Sequence, residues 1–140
     1  MKILLPVDGS AYTKRMLAWL SAHDEWLREP NTFTFLTVVP AIPPHAAAMF
    51  PADQLKGYYD DAAETVFKPI RKFMGKHGLS NTYVAKTGHA PEVIAKQADK
   101  GKHDLIIMGS HGHSNLMNLV TGSVTTQVLA RCKVPVLLIR

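Results

Sequence analysis

Leu105-Ile106-Ile107-Met108 runs directly into Gly109-Ser110-His111-Gly112, and nine residues later Gly122-Ser123 opens Val124-Thr125-Thr126-Gln127-Val128-Leu129-Ala130-Arg131. Read locally, this is a buried strand, a glycine loop and the start of a helix. Gly109 and Gly112 are expected to give the loop backbone angles that a side chain would forbid. Gly122 is expected to let the chain approach a ligand closely. Ser123 places a hydroxyl at a helix N-terminus, where unpaired N–H groups and the helix dipole favour an anion. A phosphate chain is the natural ligand for such a loop.

Working outward, the rest of the chain alternates strand and helix. Lys2 to Val7 is a continuous apolar run, which predicts a strand buried on both faces. It ends at Asp8-Gly9-Ser10, with Ser10 the candidate N-cap of a helix from Ala11 to Leu27. Thr13, Met16, Leu17, Leu20 and Leu27 follow the inner face of that helix, with Trp19 and Trp26 on its flanks. Thr32 to Val39 is β-branched and aromatic and predicts a second strand. A proline-rich loop follows, from Pro40 to about Pro51.

Asp53 to His77 predicts a long helix, with Leu55, Tyr59, Ala62, Val66, Ile70 and Phe73 on one face. Pro69 should kink or divide it. Asn81 to Thr87 is the third strand. Pro91 opens a short helix that Gly101 stops. Asp104 to Met108 is the fourth strand, Ser123 to Cys132 the last helix and Val134 to Ile139 the fifth strand. This alternation predicts one α/β domain over residues 1–140, with a parallel sheet between two helical layers.

Composition narrows the function. The chain is 46% hydrophobic and 19% charged, ordinary for a water-soluble globular protein. No apolar run approaches the roughly 20 residues that span a bilayer. Met1 to Val7 reads as a strand and is too short for a signal peptide. A single cysteine, Cys132, excludes an internal disulfide, fits a reducing cytoplasm and reads as a packed helix residue. The formal charge is +5, but Lys and Arg are scattered and no basic run interleaves with aromatics, which argues against nucleic acid. Neither a Gly-Lys-[Ser/Thr] phosphate loop nor a Gly-x-Gly-x-x-Gly fingerprint is present, which argues against both of those nucleotide-binding classes.

Gly109, Gly112 and Gly122-Ser123 resemble, in spacing, the G-x2-G-x9-G-[S/T] signature of the universal stress protein family, in its ATP-binding branch. The resemblance covers the whole chain. It implies a three-layer, Rossmann-like α/β/α sandwich with strand order 3-2-1-4-5. Strands one and four would then be neighbours whose connections leave in opposite directions, and ligands bind at the carboxyl end of such a switch point.

The likeness further implies nucleotide contacts at Pro6, Asp8, Val38, Met108, Gly109, Gly112, His113, Gly122, Ser123 and Val124. The ligand would be ATP, or AMP or ADP, with Mg²⁺ or Mn²⁺ bridging the phosphates. Asp8 would accept from an amine or a sugar hydroxyl; it reads equally as a helix-capping residue beside Ser10. The Val38 backbone would meet the adenine. Met108 would form an apolar wall, or simply belong to the core.

His111 and His113 would approach the phosphates, or stand solvated in the loop. A histidine metal site with His45 is a further alternative. Two departures bear on the match: Pro40 stands where many relatives carry an acidic residue, and the loop from His113 to Thr121 has no extra glycine, which should stiffen it.

The function so implied is a cytoplasmic, nucleotide-dependent regulator of stress responses. It would dimerise through the edge strand Val134 to Ile139, with no nucleic-acid or membrane partner. Two alternatives stand beside it: a nucleotide-free protein-interaction module, and a slow ATP hydrolase. No Ser-His-Asp set or water-activating carboxylate is evident, so no catalytic residue is assigned.

Overall fold

The computed structural model describes residues 1–113 and 120–140. Its centre is a five-stranded parallel sheet with strands β1 (Lys2–Pro6), β2 (Thr32–Val39), β3 (Asn81–Thr87), β4 (Leu105–Gly109) and β5 (Val136–Ile139) in the order β3-β2-β1-β4-β5. β1 is central, with Leu4 paired to Thr34 on one side and Ile106 on the other. The expected strand order is the observed one.

The continuous apolar strands are explained by two core layers. Ile3 and Leu5 point to one face, where they meet Met16 and Leu20 of α1 (Ala11–Ala22) and Phe67, Ile70 and Met74 of α3 (Ala52–Met74). Leu4 points to the other and meets Ile94 and Ala98 of α4 (Ala90–Lys100) and Val128 of α5 (Ser123–Arg131). Ile3, Leu4 and Leu5 are all fully buried. Burying each such side chain stabilises the fold by about 1.5–3 kcal/mol.

Several boundaries differ from expectation, each for a local reason. The first helix ends at Ala22, not Leu27. The His23 N–H bonds back to the carbonyls of Trp19 and Leu20, and its ring stacks on Trp19 with centroids 4.3 Å apart. The chain then leaves as a single 3₁₀ turn, Asp24–Trp26, so Leu27 reaches the same core from outside the helix. The proline-rich loop contains one helical turn, α2 (Pro44–Ala47).

Pro69 does not divide α3. It is exposed, while Phe67 and Ile70 on either side of it are buried, and their burial carries the helix past the missing donor. The buried line of α3 is Ala63, Phe67, Ile70 and Met74; the predicted Leu55, Tyr59, Ala62, Val66 and Phe73 are half-buried beside it. Pro91 is the second residue of α4 rather than its first. Cys132 lies just past α5, and the last strand starts at Val136 rather than Val134. Among the described residues, no helix is long and apolar enough to cross a membrane.

Candidate functional site

The carboxyl ends of β1 and β4 lie side by side, and the chain leaves them into opposite helical layers. After β1 the turn is made at Gly9, whose φ of +76° is the left-handed conformation that favours glycine. α1 begins two residues later. Ser10 occupies its N-cap position, but the Ser10 hydroxyl makes no capping bond; it is buried without a hydrogen-bond partner. Asp8 instead braces the turn that leads into the helix. Its Oδ1 accepts from the Ser10 N–H at 2.9 Å and from the Thr13 hydroxyl at 3.0 Å. The N–H it accepts belongs to the N-cap residue and not to the first helical turn, so Asp8 does not cap α1 as its position beside Ser10 suggests.

The other oxygen faces the glycine loop. Asp8 Oδ2 is 2.7 Å from the point where a Cβ on Gly112 would sit. A Cβ on Gly109 would lie 2.6 Å from Tyr12 Cβ, and one on Gly122 3.2 Å from His111 Cα. The positive-φ glycines are Gly9, Gly78 and Gly88, so Gly109 and Gly112 do not adopt side-chain-forbidden angles. What these positions require is space: each lets two pieces of the site touch. Gly122 is close to the loop itself, with its N–H donating to the Ser110 carbonyl at 2.6 Å.

His113 Nε2 lies 2.7 Å from the Asp8 carbonyl oxygen, a hydrogen bond that ties the loop after β4 to the turn after β1. The His111 ring packs against Tyr12 at 5.2 Å, and the Arg15 guanidinium lies over the Tyr12 ring at 4.8 Å. The expectation of a stiffened loop falls on residues 114–119, outside the described residues. Among the described residues, no three His, Cys, Asp or Glu side chains are grouped to hold a metal ion.

Between these loops, α3 and the end of β2 is a cleft of about 490 Å³, within the usual range for small-molecule sites. All ten residues singled out in the sequence line it: Pro6, Asp8, Val38, Met108, Gly109, Gly112, His113, Gly122, Ser123 and Val124. So do His111 and Pro40. Met108 is 4% exposed, so it is both core and wall.

The sequence reading missed Tyr12, Thr13, Ala62, Val66, Ile94 and Thr125, which also line it. Ala62 and Val66 carried a signal, since they sit on an apolar helix face, but a cleft wall and a core look alike in periodicity. Among the described residues, Asp8 is the one acidic residue in the lining, and no Lys or Arg belongs to it. Outside the cleft, burial pushes the Cys132 thiol up, which keeps it protonated and unreactive.

A sequence model of the universal stress protein family matches residues 1–140. Over 139 residues the chain is 30% identical to the universal stress protein Slr1230 of Synechocystis, covering 99% of this chain and 42% of that one. It is 33% identical over 88 residues to the universal stress protein MJ0577 of Methanocaldococcus jannaschii, covering 63% of this chain and 54% of that protein. The chain thus spans about half the length of these relatives. The solved structure of MJ0577 superposes with a TM-score of 0.83 at 28% identity, over 99% of this chain and 94% of that one. A universal stress protein family member from Arabidopsis thaliana, solved with AMP bound, shares the fold with a TM-score of 0.71 at 15% identity, over 99% of this chain and 90% of that one.

Proposed function

The chain belongs to the universal stress protein family, and from that membership we propose that it binds an adenine nucleotide and acts as a dimeric, nucleotide-dependent regulator of a stress response in the cytoplasm. ATP is the proposed ligand, with ADP or AMP as its smaller relatives. One observation carries this reading: an apolar slot and an anion-favouring helix N-terminus open into the same cleft of about 490 Å³.

Each end of the cleft suits one end of a nucleotide. Val38, Ile94 and Met108 offer apolar surface for a flat base, and backbone groups at the end of β2 are the natural partners for its edge. Asp8 Oδ2 is a free acceptor for a sugar hydroxyl or an amine. Gly112, Gly122, Ser123 and Val124 bring the loop and the first turn of α5 together where a phosphate tail would lie. With no Lys or Arg in the lining, a divalent cation on the phosphate oxygens would offset the charge that amides and imidazoles leave uncompensated. Such an ion would keep several waters. The AMP held by the Arabidopsis relative supports the choice of base. Dimerisation is proposed through β5, an edge strand with one partnered side.

Titration calorimetry with ATP and Mg²⁺ tests the ligand. Binding at millimolar nucleotide or tighter is expected, and its absence refutes the reading. Mass spectrometry of the freshly purified protein should find an adenine nucleotide.

A further inference from the structure

Thr125 is 2% exposed and sits in the first turn of α5, yet its hydroxyl does not serve its own helix. It reaches 16 residues back and lies 3.1 Å from the Gly109 carbonyl and 3.3 Å from the Ser110 carbonyl. The same Ser110 carbonyl accepts the Gly122 N–H at 2.6 Å. The Ser110 N–H donates to Ile139 at 2.8 Å, so this residue is fixed to the end of β5 as well. Two bonds from opposite ends of the Gly122–Thr125 turn thus converge on one peptide of the glycine loop.

The other side-chain bonds of this turn stay within it. Thr126 bonds to the Gly122 carbonyl and to Thr121, which are local contacts. Ser123 and Val124, which line the cleft, lie between these two anchors, the Gly122 N–H and the Thr125 hydroxyl. A helix N-terminus favours an anion only when its N–H groups are aimed at it, and an error near 1 Å in such a site is costly.

We propose that Thr125 is the positioning residue of the phosphate end of the cleft: its hydroxyl sets the register of α5 against Gly109 and Ser110, so that helix amides and loop amides converge on one phosphate group. This rests on the nucleotide reading above. It assigns to Thr125 a share in phosphate affinity and none in base affinity, because the bridge lies on the α5 side of the cleft, away from Val38. A side chain without the hydroxyl would leave a buried carbonyl pair one donor short, and the turn would relax away from the loop.

The test compares wild type, Thr125→Val and Thr125→Ser by calorimetry with ATP·Mg²⁺ and with adenosine, together with thermal unfolding. Thr125→Val keeps the shape and removes the donor; Thr125→Ser keeps the donor. The expected result is an ATP affinity about tenfold weaker in Thr125→Val with adenosine affinity within twofold of wild type, and an ATP affinity restored in Thr125→Ser. An equal loss for ATP and adenosine would mean a general structural role and overturn the assignment. So would a Thr125→Val protein that binds ATP as wild type does. Wild-type protein that binds neither ligand overturns the nucleotide reading itself, and the proposal with it. Should Thr125→Val not fold, Thr125→Ser and Thr125→Cys carry the comparison, Cys being the weak donor expected to lose ATP affinity selectively.

Discussion

Asp8 Oδ2 and Gly112 meet so closely that a Cβ on Gly112 would lie 2.7 Å from the carboxylate oxygen. Gly109 meets Tyr12 in the same way, at 2.6 Å from Tyr12 Cβ. The two contacts differ in what can yield. Asp8 can rotate its carboxylate, at the expense of the bonds that Oδ1 makes to Ser10 and Thr13. Tyr12 Cβ is fixed to the backbone of α1. Gly112→Ala should therefore cost about 1 kcal/mol of stability, and Gly109→Ala about 1–3 kcal/mol. Urea unfolding midpoints check the order; equal losses would contradict it.

Asp8 has two tasks that substitution can separate. Asp8→Ala removes the acceptor of the Ser10 N–H and the Thr13 hydroxyl at the entry to α1 and should lower stability by about 1 kcal/mol. Asp8→Asn keeps an oxygen for Ser10 and Thr13 and should stay within about 0.5 kcal/mol of wild type. Both should weaken nucleotide binding, because both remove the charged oxygen that faces Gly112. Calorimetry beside chemical denaturation distinguishes the roles. A stable Asp8→Asn with unchanged affinity would leave Asp8 as a turn-bracing residue alone.

Much of this arrangement was legible in the chain. The two glycine-bearing turns were recognisable because each follows an apolar run and precedes a helix. Their adjacency depended on strand order, which periodicity does not contain and which the family resemblance provided. What remained hidden was the reason for the glycines. Spacing shows that Gly109 and Gly112 are small, and small residues suggest unusual angles. Only the folded chain shows that Tyr12 and Asp8, a hundred residues away in sequence, occupy the space a side chain would need. The α3 face was misread by one residue for a related reason. Ala62 and Val66 border the cleft, so the apolar stripe is wider than the core it covers. His23 ended the first helix early through a ring stack on Trp19, a tertiary preference that local propensity does not encode.

His103 predicts a pH dependence of stability. It is buried, with Nδ1 3.2 Å from the Gln97 carbonyl and Nε2 without a partner. Burial holds its pKa below the ordinary 6.5, against the pull of the Ala98 and Gln97 backbone; nearby Lys2 lowers it further and Asp104 raises it. The unfolded chain therefore takes up this proton at a higher pH than the folded one. Stability should be full above about pH 6.5 and fall as the pH drops through the folded-state value. His103→Gln should flatten the decline between pH 7.5 and pH 5.5 in urea unfolding. A variant that declines as steeply as wild type would assign the acid sensitivity to other groups.

The edge strand predicts the oligomeric state. β5 is the last strand of the sheet and pairs with β4 on one side; Val136, Leu137 and Leu138 on it are apolar and half-buried. An apolar edge of this kind invites strand addition, and charged side chains are the usual device that prevents it. Wild type should sediment as a dimer at micromolar concentration and Val136→Lys as a monomer. The strand also reaches the cleft, because the Ile139 carbonyl accepts the Ser110 N–H at 2.8 Å. Loosening β5 should then loosen the peptide on which Thr125 and Gly122 converge, so the monomer should bind ATP a few-fold more weakly while adenosine affinity holds. A monomeric Val136→Lys with undiminished ATP affinity would show that the dimer surface and the phosphate end act independently.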